Sequence, residues 1–77
     1  MIVITVEGGL VQGVSSDSPM LVGTRVVVID YDCENAVPSE VSRVPQGNGK
    51  TEDAVVSRHE VGILYEPVAA FLKAGGR

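Results

Sequence analysis

Four consecutive β-branched residues, Val26-Val27-Val28-Ile29, constrain the fold of this chain more than any other feature. Branching at Cβ stiffens a side chain and favours the pleated surface of a sheet. Because no polar residue interrupts the run, it predicts a strand with apolar contacts on both faces. Valine occupies 15 of the 77 positions, against four leucines and four isoleucines, so the preference for strands extends through the chain.

The N-terminal residues predict a β-hairpin with Gly8-Gly9 at its turn, since a type I′ turn needs positive φ at both central positions. Gly13 inside the second strand indicates a β-bulge or a close backbone approach. With Glu7 placed opposite Leu10, the drier face of the hairpin consists of Ile2, Ile4, Val6 and Val11.

The second half of the chain predicts a loop, a strand and a helix. Residues 33–53 are polar and interrupted by prolines and glycines, so we expect a mobile loop there, followed by a strand over residues 54–61. Residues 66–75 predict a short helix, with Pro67 in the first turn and Gly75 after the end. Its apolar face, made of Val68, Phe71 and Leu72, is expected to dock on the drier face of the hairpin.

These elements predict an α+β fold: a three- or four-stranded, mainly antiparallel sheet, formed by the hairpin and the Val-rich third strand, with one short C-terminal helix. Residues 1–74 are expected to form a single small domain and residues 75–77 a disordered tail. One short helix can cover only one sheet face, and leaving three or four Val or Ile side chains in water forgoes several kcal/mol. The other face therefore needs a curled sheet, a second copy or a different protein.

Charge and cysteine content exclude several classes of protein. Six Lys and Arg against ten Asp and Glu give a net charge of −4, which disfavours direct nucleic-acid binding. The single cysteine, Cys33, excludes an internal disulfide and a thiolate-rich zinc site. The N-terminus lacks a basic signal-peptide region, and no apolar run approaches the roughly 18–20 residues that span a bilayer, so we expect a cytoplasmic protein without membrane contact.

The sequence contains no complete catalytic motif. The segment Gly47-Asn48-Gly49-Lys50-Thr51 resembles the end of a phosphate-binding P-loop, but that pattern needs glycine at position 44, where the chain has valine. Cys33 and His59 could pair as nucleophile and base, yet no third group orients them and no oxyanion loop is recognisable. We therefore expect neither an enzyme nor a cofactor.

The charge map identifies the candidate site. Between Val26 and Ser42 the chain carries four acidic residues and no basic one, which predicts a surface for a basic protein partner. In a strand, the first three carboxylates would project from one face, and their alternation also loosely resembles the oxygen-ligand spacing of a calcium loop. These candidate partner-binding residues are Asp30, Asp32, Glu34 and Glu40.

Two stretches, residues 4–14 and 26–32, together with Val44-Pro45-Gln46-Gly47, resemble a group of short uncharacterised proteins of bacterial phages, plasmids and integrated mobile elements. The shared motifs are structural and provide no site residues. The resemblance implies an accessory or anti-defence role, such as an anti-CRISPR-like inhibitor.

The leading functional hypothesis is a non-enzymatic acidic module of a mobile element that masks a basic nucleic-acid-binding site on a host protein. The first alternative is a structural homodimer, joined through the third-strand face or a sheet edge. The second is a small metal-binding protein.

Overall fold

The computed structural model describes all 77 residues. The elements are β1 (Ile2–Glu7), β2 (Leu10–Ser16), β3 (Arg25–Asp30), a 3-10 turn (Pro38–Glu40), β4 (Val41–Pro45), β5 (Thr51–Glu60), β6 (Gly62–Ile63) and α1 (Glu66–Lys73). They form two three-stranded sheets, sheet A in the order β1-β2-β6 and sheet B in the order β3-β5-β4. The α+β class with mainly antiparallel strands and one C-terminal helix is confirmed, although the strands are divided between two sheets.

The chain divides into two compact units. Unit 1 contains Met1–Val26 and His59–Arg77, and unit 2 contains Val27–Arg58. The prediction of a single domain over residues 1–74 stays a prediction. None of the helices is long and apolar enough to span a membrane.

In unit 1, the predicted hairpin forms with the predicted turn. β1 runs antiparallel to β2, and Glu7 lies opposite Leu10. Gly8 and Gly9 both have positive φ, 59° and 77°, as a type I′ turn requires. The two glycines therefore close the hairpin without the steric cost that a Cβ would impose.

A β-bulge then shifts the hairpin register. Val6 still pairs with Val11, but Thr5 pairs with Gly13, so Gln12 is the extra residue on β2. The predicted bulge is confirmed, and because of it Ile4 lies opposite Val14, whereas a hairpin without a bulge would place Ile4 opposite Gly13. The extra residue brings Val14 onto the apolar face of the hairpin, since directly opposed residues share a face.

The interior of unit 1 lies on β2 and α1 and on the two residues that flank β6. Val61 makes two backbone hydrogen bonds to the 23–24 segment. Its carbonyl accepts from the Gly23 N–H (2.8 Å), and its N–H donates to the Thr24 carbonyl (2.9 Å). The Leu64 N–H donates to the Ser16 carbonyl at 3.0 Å, next to the parallel pairing of β2 with β6. The buried residues of this unit are Val14, Ser16, Val61, Leu64 and Ala69.

Helix α1 begins and ends as predicted. Pro67 lies in its first turn, and Gly75 follows the C-cap with φ at 82°. The Gly75 N–H donates to the Leu72 carbonyl and the Gly76 N–H to the Phe71 carbonyl, which is the Schellman pattern. Gly75 and Gly76, which make these two hydrogen bonds, belong to the predicted tail over residues 75–77, and the disorder of that tail stays a prediction.

The predicted docking face of α1 is wrong. Ala69 is buried, whereas Val68 and Phe71 are 39% and 51% exposed. The ring of Phe71 lies so close to Gly76 that a Cβ there would approach it to 2.5 Å. The Schellman turn therefore gives this aromatic ring a local partner, and the helix does not cover β1.

In unit 2, an unpredicted strand occupies part of the expected mobile loop. β4 pairs antiparallel with β5 from Val41 opposite Val55 to Pro45 opposite Thr51. The connecting turn contains Gly47 and Gly49, both with positive φ. Residues 33–53 are thus partly a hairpin, and the predicted fourth strand begins at Thr51 instead of residue 54.

Candidate protein-binding surface

Strand β3 exposes every second side chain along an edge of sheet B. Val27 is 54% exposed, Ile29 45% and Tyr31, just after the strand, 52%; we call these three residues the β3 row. Val26 and Val28, on the opposite face, are half-buried. The chain therefore leaves one face of the 26–29 segment uncovered. The sequence predicted this, because one short helix can cover only one sheet face.

The carboxylates that follow β3 bind their own backbone. The Asp32 N–H donates to Asp30 Oδ1 at 2.9 Å, and the Glu34 N–H donates to Asp32 Oδ1 at 3.3 Å. Both are Asx turns, in which an Asp side chain accepts from the amide two residues later. The expected projection of three carboxylates from one strand face is wrong, because β3 ends at Asp30 and the chain turns.

A third carboxylate, from β5, joins the first two around Cys33. Loss of hydration raises the pKa of the Cys33 thiol, and the charges of Asp53, Asp30 and Asp32 raise it further. A hydrogen bond with the Val55 backbone lowers the pKa of the same thiol. The charges of the three aspartates therefore act on one thiol of unit 2, and each of them disfavours the thiolate, which is the nucleophilic form.

Asp53 is the residue of this surface that sequence reasoning did not include. It lies opposite Arg43 in the β4–β5 pair, and its carboxylate is 3.5 Å from Arg43 Nε. Arg43 also donates to the Thr51 hydroxyl through Nε and Nη2. The signal that could have found Asp53 is the Gly-Asn-Gly segment, which marks a hairpin turn between two β-forming stretches.

The four predicted residues are not all brought together. Asp30 and Asp32 both act on Cys33, and Glu34 is tied to Asp32 through its backbone. Glu40 ends the 3-10 turn and is exposed, without a hydrogen bond or ion pair to the other three. The acidic surface is therefore defined by Asp30, Asp32, Glu34 and Asp53, and we call it the acidic end of β3.

The other candidate chemistries have no supporting geometry. The Gln46 N–H donates to the Lys50 carbonyl, and the Lys50 N–H donates to Asn48 Oδ1, so the P-loop-like segment is a hairpin turn. Cys33 and His59 belong to different units. No group of three or more His, Cys, Asp or Glu side chains is arranged to hold a metal ion.

Unit 1 contains a separate cavity of about 370 Å³. The cavity lies beside α1. Its lining includes two acidic residues, Asp17 and Glu66, and one basic residue, Lys73. None of the predicted site residues lines it. No family model, no curated protein and no solved structure matches this chain.

Proposed function

We propose that this chain is a non-enzymatic protein-binding module whose unit 2 binds a basic segment of a partner protein. The observation that carries the proposal is the β3 row, an exposed apolar edge that runs directly into the acidic end of β3. A strand edge offers unpaired backbone groups, alternate side chains provide apolar contacts, and the adjacent carboxylates select a basic partner.

The charge distribution supports a basic partner. Unit 2 carries six acidic and three basic residues, so it holds −3 of the net charge of −4. One of the three basic residues, Arg43, already pairs with Asp53. A positive segment would be attracted to unit 2 at long range, with a rate of association that falls as salt increases.

The weak internal packing of unit 2 also supports a binding role. Ala54 is its one buried residue, and the unit is held by backbone pairing and short polar contacts. Covering Val27 and Ile29 would remove apolar area from water at about 25 cal/mol per Å², which favours association.

The sequence resemblance to short proteins of mobile elements suggests a specific form of this function. An acidic module of that origin would act in the host cytoplasm and mask a basic surface that normally binds nucleic acid. A basic surface that binds the phosphates of nucleic acid also attracts closely spaced carboxylates, and this shared electrostatic preference supports the masking role.

The first experiment uses a fluorescein-labelled peptide of alternating Val and Arg as a probe, with binding measured by fluorescence anisotropy over a salt series. The test variant is Asp32→Lys/Glu34→Lys, and the matched control is Glu7→Lys/Glu60→Lys, which changes the net charge equally but lies in unit 1. We expect the test variant to lose at least about tenfold in affinity, or ~1.4 kcal/mol, and to show a flatter salt dependence.

Equal losses in the two variants would show that net charge alone governs the binding, and the proposal would be wrong. Unchanged affinity in the test variant would remove Asp32 and Glu34 from the surface. A partner captured from a bacterial lysate and identified by mass spectrometry then allows the masking hypothesis to be tested. The wild-type chain should compete with nucleic acid for that partner, and the test variant should not.

A further inference from the structure

The cavity of unit 1 lies along one face of α1. Glu66, Ala69 and Lys73 line it at positions i, i+3 and i+7, which share a helical face. Its volume of about 370 Å³ falls at the lower end of the roughly 300–1,000 Å³ of small-molecule sites. The other large apolar residues that line it are Val22, Ile63 and Leu64.

Two of the polar residues that line the cavity already have partners within the chain. The Ser16 hydroxyl donates to the Met1 carbonyl at 2.6 Å. The Asp17 carboxylate forms an ion pair with the Met1 ammonium group at 3.2 Å. The side chains of Glu66 and Lys73 form no hydrogen bond or ion pair, so they are the two charges left for a ligand.

The backbone at the ends of α1 has little capacity left for an ion. At the N-terminus, Pro67 has no N–H, and the Val68 and Ala69 N–H groups donate to the Tyr65 carbonyl. At the C-terminus, the amides of residues 74–76 donate to carbonyls of the last turns. The charged side chains therefore decide which ligand group lies at each end of the cavity.

The spacing of Glu66 and Lys73 sets the length of a ligand that reaches both. They are seven positions apart in α1, which corresponds to a rise of about 10.5 Å. Subtracting a hydrogen-bond distance of ~3 Å at each end leaves roughly 4–5 Å or more between the two charges of the ligand. An α-amino acid carries both charges on one carbon and is too short, whereas an ω-amino acid with several methylene groups is long enough.

We propose that this cavity binds a small linear zwitterion, such as an ω-amino acid, with its ammonium group beside Glu66 and its carboxylate beside Lys73. An anion would be attracted to Lys73 and repelled by Glu66, and a cation would meet the reverse. A zwitterion matches both charges, and its methylene chain lies against the apolar side chains between them. The site belongs to unit 1, so the proposal goes beyond the peptide binding proposed for unit 2.

Titration with 6-aminohexanoate, followed by amide NMR shifts of the isotope-labelled chain, tests the ligand class. We expect saturable shifts in residues 16–22 and 63–73, with a dissociation constant on the order of 1 mM for so small a molecule. Norleucine is the matched control, because it is an isomer that carries both charges at one end. It should bind at least about fivefold more weakly, since it can meet only one of the two side chains.

Single-charge probes test the orientation. Glu66→Gln should weaken binding of 6-aminohexanoate and hexylamine by about threefold, the size of effect typical of exposed ion pairs, and should not weaken hexanoate. Lys73→Gln should weaken 6-aminohexanoate and hexanoate but not hexylamine. Glu7→Gln and Lys50→Gln are the matched controls, because they remove the same charges outside the cavity and should leave all three probes unaffected. Glu66→Asp keeps the carboxylate and should retain hexylamine binding.

Three results would overturn the proposal. Absence of saturable shifts with 6-aminohexanoate, or shifts confined to unit 2, would show that the cavity does not bind a zwitterion. Equal affinity for norleucine would show that no ligand spans Glu66 and Lys73. Equal loss of hexylamine and hexanoate in Glu66→Gln would exclude the proposed orientation. These measurements do not involve the basic peptide, so their failure and that of the proposed function are distinguishable.

Discussion

Units 1 and 2 are stabilised in different ways. Unit 1 has five buried residues, on β2, on α1 and at the two positions that flank β6, and one of them is a serine whose hydroxyl is hydrogen-bonded. Unit 2 buries Ala54 alone and relies on strand pairing, two Asx turns and a hydrogen bond from the Gln46 amide to the Tyr31 hydroxyl. Full burial of a large apolar side chain contributes about 1.5–3 kcal/mol, whereas an exposed polar contact contributes about 1 kcal/mol or less.

This difference shows which unit has the smaller interior. Unit 1 has its own interior and leaves one strand uncovered, whereas unit 2 leaves Val27 and Ile29 of its edge strand β3 about half exposed. A segment with few buried apolar contacts opens locally at low free-energy cost and is suited to order on binding. The following four predictions test the comparison, in order of decreasing effect.

Leu64→Ala should have the largest effect. Leu64 is 7% exposed beside β6, so the truncation should lower the free energy of unfolding by about 2–4 kcal/mol through lost burial and a residual cavity. Leu10→Ala is the matched control, because Leu10 is 60% exposed and should lose less than about 0.5 kcal/mol. Urea unfolding midpoints measure both changes, and similar losses would contradict the assigned interior.

Ser16→Ala should lower stability by about 1–2 kcal/mol. The buried Ser16 hydroxyl donates to the Met1 carbonyl at 2.6 Å and accepts from the Ser18 N–H at 3.0 Å, so its removal leaves two backbone groups without this partner. Ser15→Ala is the control, since Ser15 is only half-buried. If thermal melts gave equal shifts for the two variants, the hydroxyl would not anchor the end of β2.

Gly75→Ala should lower stability by about 1 kcal/mol, because its φ of 82° is strained for any residue with a Cβ. Gly13→Ala is the matched control. Gly13 is not among the glycines with positive φ, and an added Cβ there would meet nothing within 4 Å. Equal responses in urea unfolding would show that the Schellman turn does not hold the end of α1.

The smallest expected effect concerns Cys33 in unit 2. Asp53→Asn should lower the pKa of the Cys33 thiol, because one of the negative charges that raise it is removed. The thiolate fraction at mildly alkaline pH should rise, and reaction with a disulfide reagent should accelerate. Glu52→Gln is the control, since Glu52 is not among the charges that raise this pKa.

The same shift has a consequence for stability at alkaline pH. The folded chain holds the Cys33 proton to higher pH than the unfolded chain does, so this contribution to stability is present below the ordinary cysteine pKa. It is lost as pH rises through the raised value. Unfolding measured at increasing alkaline pH should therefore show a slightly smaller decline in Asp53→Asn than in the wild type.

Local sequence signals predicted the elements whose geometry depends on near neighbours. The Gly8-Gly9 turn, the bulge near Gly13 and the end of α1 at Gly75 were all predictable, because glycine at positive φ or in a strand has few alternative explanations. The exposure of Val27 and Ile29 was also predictable, since one short helix cannot cover both faces of so apolar a strand.

Other features were hidden because distant segments determine them. Strand β4 contains Arg43 and Pro45, and its local pattern predicts a loop, yet pairing with β5 makes it a strand. The two residues of β6 have no recognisable pattern, although Val61 and Leu64 beside them form much of the interior of unit 1. Asp53 joined the acidic end of β3 only because β5 lies between β3 and β4.

The sequence by itself determined the class of the fold and the turns, and it also determined that one sheet face would remain uncovered. These features follow from backbone sterics, β-branching and the number of apolar side chains. The tertiary structure decided which faces are buried. One extra residue at Gln12 moved Val14 onto the apolar face, and Val61, Leu64 and Ala69, instead of the predicted helix face with Val68 and Phe71, completed the interior. Register and packing depend on contacts between residues far apart in the chain, and no local pattern encodes those contacts.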